Sequence, residues 1–189
     1  MTALTWTQRT TGVLMLSLLV ACSRPAPPEA PAGPKPLASI QELMQSIVDP
    51  SADALWESVS TTVTAQGEEE QRPRTPEEWC ALRHLALTLS EAANLLAQPG
   101  RVVAHTGHQL EDHHVDATLK PGDIQARIDA DPRAFAQFAL ALQAAAGESL
   151  SAIDQQDIEA FLRAGSQLDQ ACEGCHQRYW YPGDKRPTQ

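Results

Sequence analysis

Near the end of the 189-residue chain the stretch ACEGCHQRYWY sets Cys172 and Cys175 three positions apart, with His176 directly behind the second. On a helix these residues fall at i, i+3 and i+4, so two thiols and an imidazole stand close together on adjacent turns. Two thiols at this spacing can form thioethers with the vinyl groups of a haem while the following histidine reaches the iron as proximal ligand, which makes C-x-x-C-H an attachment motif for one covalent haem c. The competing readings are a surface disulfide, a chance match, a thioredoxin-like motif and a zinc site. A thioredoxin-like motif expects a strand in a βαβ unit beside it, and zinc expects further Cys or His at close spacing. The nearest other cysteine is Cys80, far upstream.

The remaining chemistry-bearing residues are fewer. An iron with two strong protein ligands shuttles electrons, whereas an open sixth position binds a diatomic gas. Met44 is the one methionine left once the leader is set aside. It lies on the apolar face of the first helix, where its thioether can be the sixth iron ligand or ordinary core packing. In HTGHQLEDHH, His105, His108, His113 and His114 put four imidazoles within ten residues. They could chelate zinc or copper, or be plainly solvated. Cys80 has no evident partner and reads as a small buried apolar side chain beside Trp79, with His84 a boundary residue on the same flank. No acid–base constellation argues for catalysis, so the chain reads as a protein that is not an enzyme.

Four amphipathic helices must position these groups, and almost nothing reads as a strand. Ser39 and Glu42 form a capping box, followed by Ile40, Leu43, Met44, Ile47 and Val48 on one face. Asp49-Pro50 predicts a kink, after which Ala52, Leu55, Trp56 and Val59 resume the spacing to about Ser60. Thr75-Pro76-Glu77-Glu78 starts a second helix with the stripe Trp79, Leu82, Ala86, Leu89, Ala93 and Leu96, stopped by Pro99-Gly100. Asp131-Pro132 starts a third, with Phe135, Phe138, Ala139, Leu142 and Ala146 on its face to about Ile153. A short turn then leads to the fourth, capped by Asp154, along which Ile158, Phe161, Leu162, Leu168, Cys172, Cys175 and Tyr179 share a side. Four such helices bury their single apolar faces most simply as an antiparallel four-helix bundle, an all-α fold with C-x-x-C-H on its last helix.

The opening residues carry targeting information. Residues 1–21 hold Arg9 as their only charge and an apolar run closing on Leu-Val-Ala before Cys22. This matches a bacterial lipobox, with Cys22 the lipidated first residue of the mature protein. Residues 22–37 form a Pro-rich linker holding six of the fourteen prolines. In extended polyproline II this linker reaches ~40 Å from a membrane surface. A domain over residues 38–182 and a polar tail over 183–189 complete the organisation. Loss of the leader takes one of the 14 basic residues and none of the 24 acidic ones, leaving a net charge of −11. That excludes nucleic acid as a partner and favours one with a basic surface.

The lipobox leader, the helical body and C-E-G-C-H on the final helix together resemble the class II c-type cytochromes, the family of cytochrome c prime and its low-spin relatives. The likeness spans about residues 40–181. It implies a four-helix bundle with haem bound covalently near the C-terminus, Cys172 and Cys175 as thioether sites, His176 as proximal ligand, and a distal face formed by the first helix. Low-spin members donate a methionine there, which corresponds to Met44. Tyr179 matches an aromatic common three residues after the histidine. Gly174 stands where a lysine often precedes the second cysteine, and Trp180 where a basic residue often follows the aromatic. The implied function is periplasmic electron transfer by a lipid-anchored protein, with the outer membrane as the favoured site because Ser23 replaces the retention aspartate. Homodimers through the first two helices also occur in that family. Gas binding by a five-coordinate iron, or metal storage by a haem-free, His-rich lipoprotein, are the other classes in play.

Overall fold

The computed structural model describes Gly33 and residues 35–184. The leader, Cys22, most of the linker and the end of the tail therefore lie outside the described residues. Among the described residues no helix is long and apolar enough to cross a membrane.

Helix α1 (Ile40–Leu43) begins at the capping box. Ser39 Oγ accepts from the Glu42 amide at 3.1 Å while Glu42 Oε2 accepts from the Ser39 amide at 2.7 Å. The helix then widens into a π turn over Met44–Val48, in which the Asp49 amide donates to the Met44 carbonyl, before narrowing again to α2 (Asp49–Glu57). Pro50 accounts for the change. It has no N–H, and its ring conflicts with the carbonyl four residues back, so the chain inserts a wider turn instead of a sharp break. The rod ends at Glu57 rather than Ser60, because Ser60 opens a strand. Strands β1 (Ser60–Thr64) and β2 (Gly67–Gln71) pair antiparallel, from Ser60 with Gln71 to Thr64 with Gly67. This small hairpin departs from the expectation of an all-α body in which almost nothing is a strand. Its β-branched run Thr61-Thr62-Val63-Thr64 favours extended backbone, and Gly67 takes the positive φ of 135° at the turn.

Helix α3 (Pro76–Leu96) starts at Thr75 and Glu78 as expected, and its whole predicted stripe is buried. A connection leads from α3 to the next long helix. It contains α4 (Pro121–Ala130), with Pro121 in its first turn and Ile124 and Ile128 buried one turn apart. Helix α5 (Pro132–Asp154) runs unbroken through Gly147. Helix α6 (Ile158–Tyr179) is capped by Asp157, whose side chain accepts from the Ala160 amide at 2.9 Å. The expected cap, Asp154, instead ends α5 and meets Arg83 of α3 at 2.8 Å. Between α5 and α6 the Gln156 amide donates to Ile153 and the Asp157 amide to Ala152, with Gln156 at φ 54°. That is a Schellman end in which glutamine occupies the left-handed position usually given to glycine.

The helices meet in antiparallel pairs. Arg83 faces Asp154 and Gln143 donates to Asn94 at 2.7 Å, so α3 and α5 run in opposite senses. Trp56 Nε1 donates to the Gly165 carbonyl at 3.1 Å, joining α2 to α6. Arg101, which no motif or periodicity singles out, is a buried clamp whose guanidinium donates to the carbonyls of Leu95 and Ala38 and to Gln98 Oε1. It ties the end of α3 to the start of α1, and burial lowers its pKa.

Candidate functional site

A cavity of about 710 Å³ opens where the π turn and α2 face α5 and α6. Each wall follows from helical spacing. From the first rod come Met44, Val48 and Ala52, four residues apart; from α5 come Phe138 and Leu142; from α6 come Cys172, Cys175 and His176. The four residues singled out as thioether sites and iron ligands, Cys172, Cys175, His176 and Met44, therefore border one space. Met44 and His176 also line a smaller adjoining cavity beneath the α3–α4 connection.

Both thiols are half-buried and unbridged. Burial pushes each up to about 12, and the Asp49 carboxylate adds to the effect at Cys172. They are therefore held as neutral thiols. His176 is half-buried, with the rings of Trp180 and Tyr181 each 5.9 Å from its own. The Tyr181 hydroxyl donates to Glu173, which lies between the two cysteines in the chain. Tyr179 plays a different part. It is 2% exposed, and its ring meets Phe135 and Phe138 edge-on at 5.4 and 5.7 Å, fastening the end of α6 to α5. A Cβ at Gly174 would meet Phe138 Cε1 at 3.8 Å, an ordinary van der Waals contact.

The mouth of the cavity is acidic. Asp49, Asp53, Glu111, Asp169 and Glu173 line it, and among the described residues no lysine or arginine does. Asp49 remains reachable by water, yet enclosure by the cavity wall raises its pKa, opposed by His176 and reinforced by Asp53 and Glu111.

The other sequence-derived candidates lie elsewhere. Cys80 is exposed, which corrects the expectation of burial: the α3 stripe turns Trp79 and Leu82 inward and leaves Cys80 on the outer flank, 3.8 Å from His84 Nε2. In the connection, His105 Nε2 lies 3.0 Å from Glu42 Oε2, and His113 Nδ1 lies 2.9 Å from the Leu110 carbonyl oxygen. His105 and His108 are in non-helical backbone with their rings at right angles. Among the described residues no three His, Cys, Asp or Glu side chains gather as a metal-holding group. Leu162, expected on the inward side of α6, is 51% exposed, and Trp56 is 37% exposed.

Comparison with protein-family models, curated proteins and solved structures finds no match to this chain.

Proposed function

We propose that the chain is a monohaem c-type cytochrome of the class II kind, built on an antiparallel four-helix bundle, lipidated at Cys22 and transferring electrons in the periplasm. One observation carries this reading: Cys172, Cys175 and His176 share a single cavity with Met44 contributed by another helix. The ring of contacts among the first rod, α3, α5 and α6 supports the bundle.

The residues fit the cofactor on several counts. The cavity volume lies within the ~300–1,000 Å³ of cofactor sites, and its inner wall is apolar. Cys172 and Cys175 would hold the group through thioethers, His176 would ligate its iron, and the Met44 thioether would supply the sixth ligand. When bound, the group supplies a one-electron iron couple whose potential depends on axial ligands and burial. The chain's own residues do the rest. Val48, Phe138 and Leu142 exclude water, and the Trp180 and Tyr181 rings restrict the His176 imidazole. Among the described residues the carboxylate-lined mouth presents no lysine or arginine to an acidic substituent of the group.

The optical spectrum of the protein matured in a host with c-type assembly machinery tests this reading, before and after reduction and with carbon monoxide added to the reduced form. A covalent haem spectrum with slow, weak carbon monoxide binding is expected. Fast, tight binding would move Met44 to core packing and the function to gas binding.

A further inference from the structure

We infer that the flank between α2 and α6, centred on Trp56 and Leu162, is the surface on which a basic redox protein docks; this rests on the electron-transfer reading above and adds where the partner sits. A groove of about 580 Å³ runs along this flank, lined by Leu55, Trp56, Val59, Phe161 and Leu162. Trp56 and Asp169 line both this groove and the cavity that holds Cys172, Cys175 and His176. A protein seated here is therefore separated from the cavity by the thickness of one side chain.

The flank has the anatomy of a transient interface, an apolar centre inside a charged rim. Trp56 and Leu162 are large apolar side chains left 37% and 51% exposed. Trp56 is held in that position by its bond to the Gly165 carbonyl, and its ring packs over Gly165, where a Cβ would meet Trp56 Cδ1 at an ordinary 3.5 Å. The rim on the cavity side carries Asp49, Asp53, Asp169 and Glu173, and among the described residues no lysine or arginine lines it. Arg163, the neighbour of Leu162, lines neither space and has its guanidinium 3.9 Å from Glu159. Charge complementarity selects the occupant. A second copy of this chain, with a net charge of −10 over the full sequence, would set carboxylates against carboxylates, whereas a partner with lysines or arginines around an apolar patch matches the rim and is drawn toward it. In the encounter one electron leaves the reduced chain and reduces the oxidised metal centre of the partner, with no bond or proton exchanged.

The test uses the matured full-length protein, its haem verified by its own spectrum, and a small basic haem protein in the oxidised state as probe. Stopped-flow mixing of the reduced chain with this probe gives the second-order rate at low and at physiological ionic strength. Leu162→Lys, which touches only the groove, and Asp169→Lys are each expected to lower the low-salt rate by about tenfold or more, with the loss shrinking as salt is added. Glu91→Lys, on α3 and lining neither space, changes the charge by as much as Asp169→Lys and is expected to lower the rate less than about twofold. Thermal melts and an unchanged haem spectrum establish that the variants are folded. Equal losses at all three positions would overturn the docking surface while leaving the cytochrome reading intact. So would a dimer in sedimentation that Leu162→Lys disperses, since the face would then belong to a second copy. A chain that matures without haem overturns both.

Discussion

The α3–α5 contact and the wall between the first helical rod and α6 use similar side chains to opposite ends. Along α3 and α5 the buried positions alternate leucine with alanine, including Ala86, Ala93, Ala139 and Ala146, and small side chains let two helices approach closely and leave little space between them. Polar pairs at both ends, Arg83 with Asp154 and Asn94 with Gln143, hold the register. Across the molecule the rod is interrupted by the π turn, and Met44, Phe138, Cys172 and Cys175 are only half-buried around open space. One pairing completes its own core. The other leaves a cavity whose lining is chemically specified.

That contrast can be broken by chemistry at the cysteines. In chain produced without haem attachment, the thiolate fraction of a group with a pKa near 12 is on the order of 10⁻⁴ at pH 8. Iodoacetamide at that pH is expected to modify exposed Cys80 at least about 100-fold faster than Cys172 or Cys175, with the latter pair accelerating as the pH rises toward 12. Peptide mass mapping over time checks this, and equal rates would mean the cavity thiols are not enclosed.

Truncations sharpen the same comparison on a smaller scale. Leu89→Ala, in the closed contact and wholly buried, is expected to cost about 3 kcal/mol in denaturant unfolding of the haem-free chain. Met44→Ala, whose side chain already borders open space, is expected to cost about 1 kcal/mol or less in the same assay. Similar losses at the two positions would mean that the cavity wall packs as tightly as the α3–α5 contact.

The smallest effect concerns the turn that brings α6 back along α5. Gln156 sits at φ 54°, where a side chain is strained and glycine is not. Gln156→Gly is therefore expected to stabilise the protein by about 1 kcal/mol, read from the shift of the urea midpoint at constant slope.

Much of this was legible in the sequence because its signals are local. Ser39, Thr75 and Asp131 mark helix starts through side-chain bonds to amides three residues on, and a stripe with a period near 3.6 defines the buried face of α3 without knowledge of its partner. The grouping of Cys172, Cys175 and His176 follows from helical spacing alone. What escaped depends on contacts distant in sequence or on competition between neighbouring signals. Asp154 and Asp157 are both competent caps, and the Asp154 side chain is taken instead by Arg83, 71 residues away. Arg101 gives no local sign that it will clamp Ala38, and Leu162 and Trp56 fit an apolar periodicity although the fold leaves them on an outer flank. The hairpin and α4 did have local signals, in the Thr-Thr-Val-Thr run and in Pro121 ahead of Ile124 and Ile128, but short elements carry few residues of pattern.

The most direct measurement is the intact mass of the matured protein beside that of a Cys172→Ala, Cys175→Ala double variant made in the same host. The account predicts a parent polypeptide heavier by one haem after denaturation and a variant whose denatured chain carries none. A parent of bare chain mass, or a double variant that keeps the added mass, would contradict it.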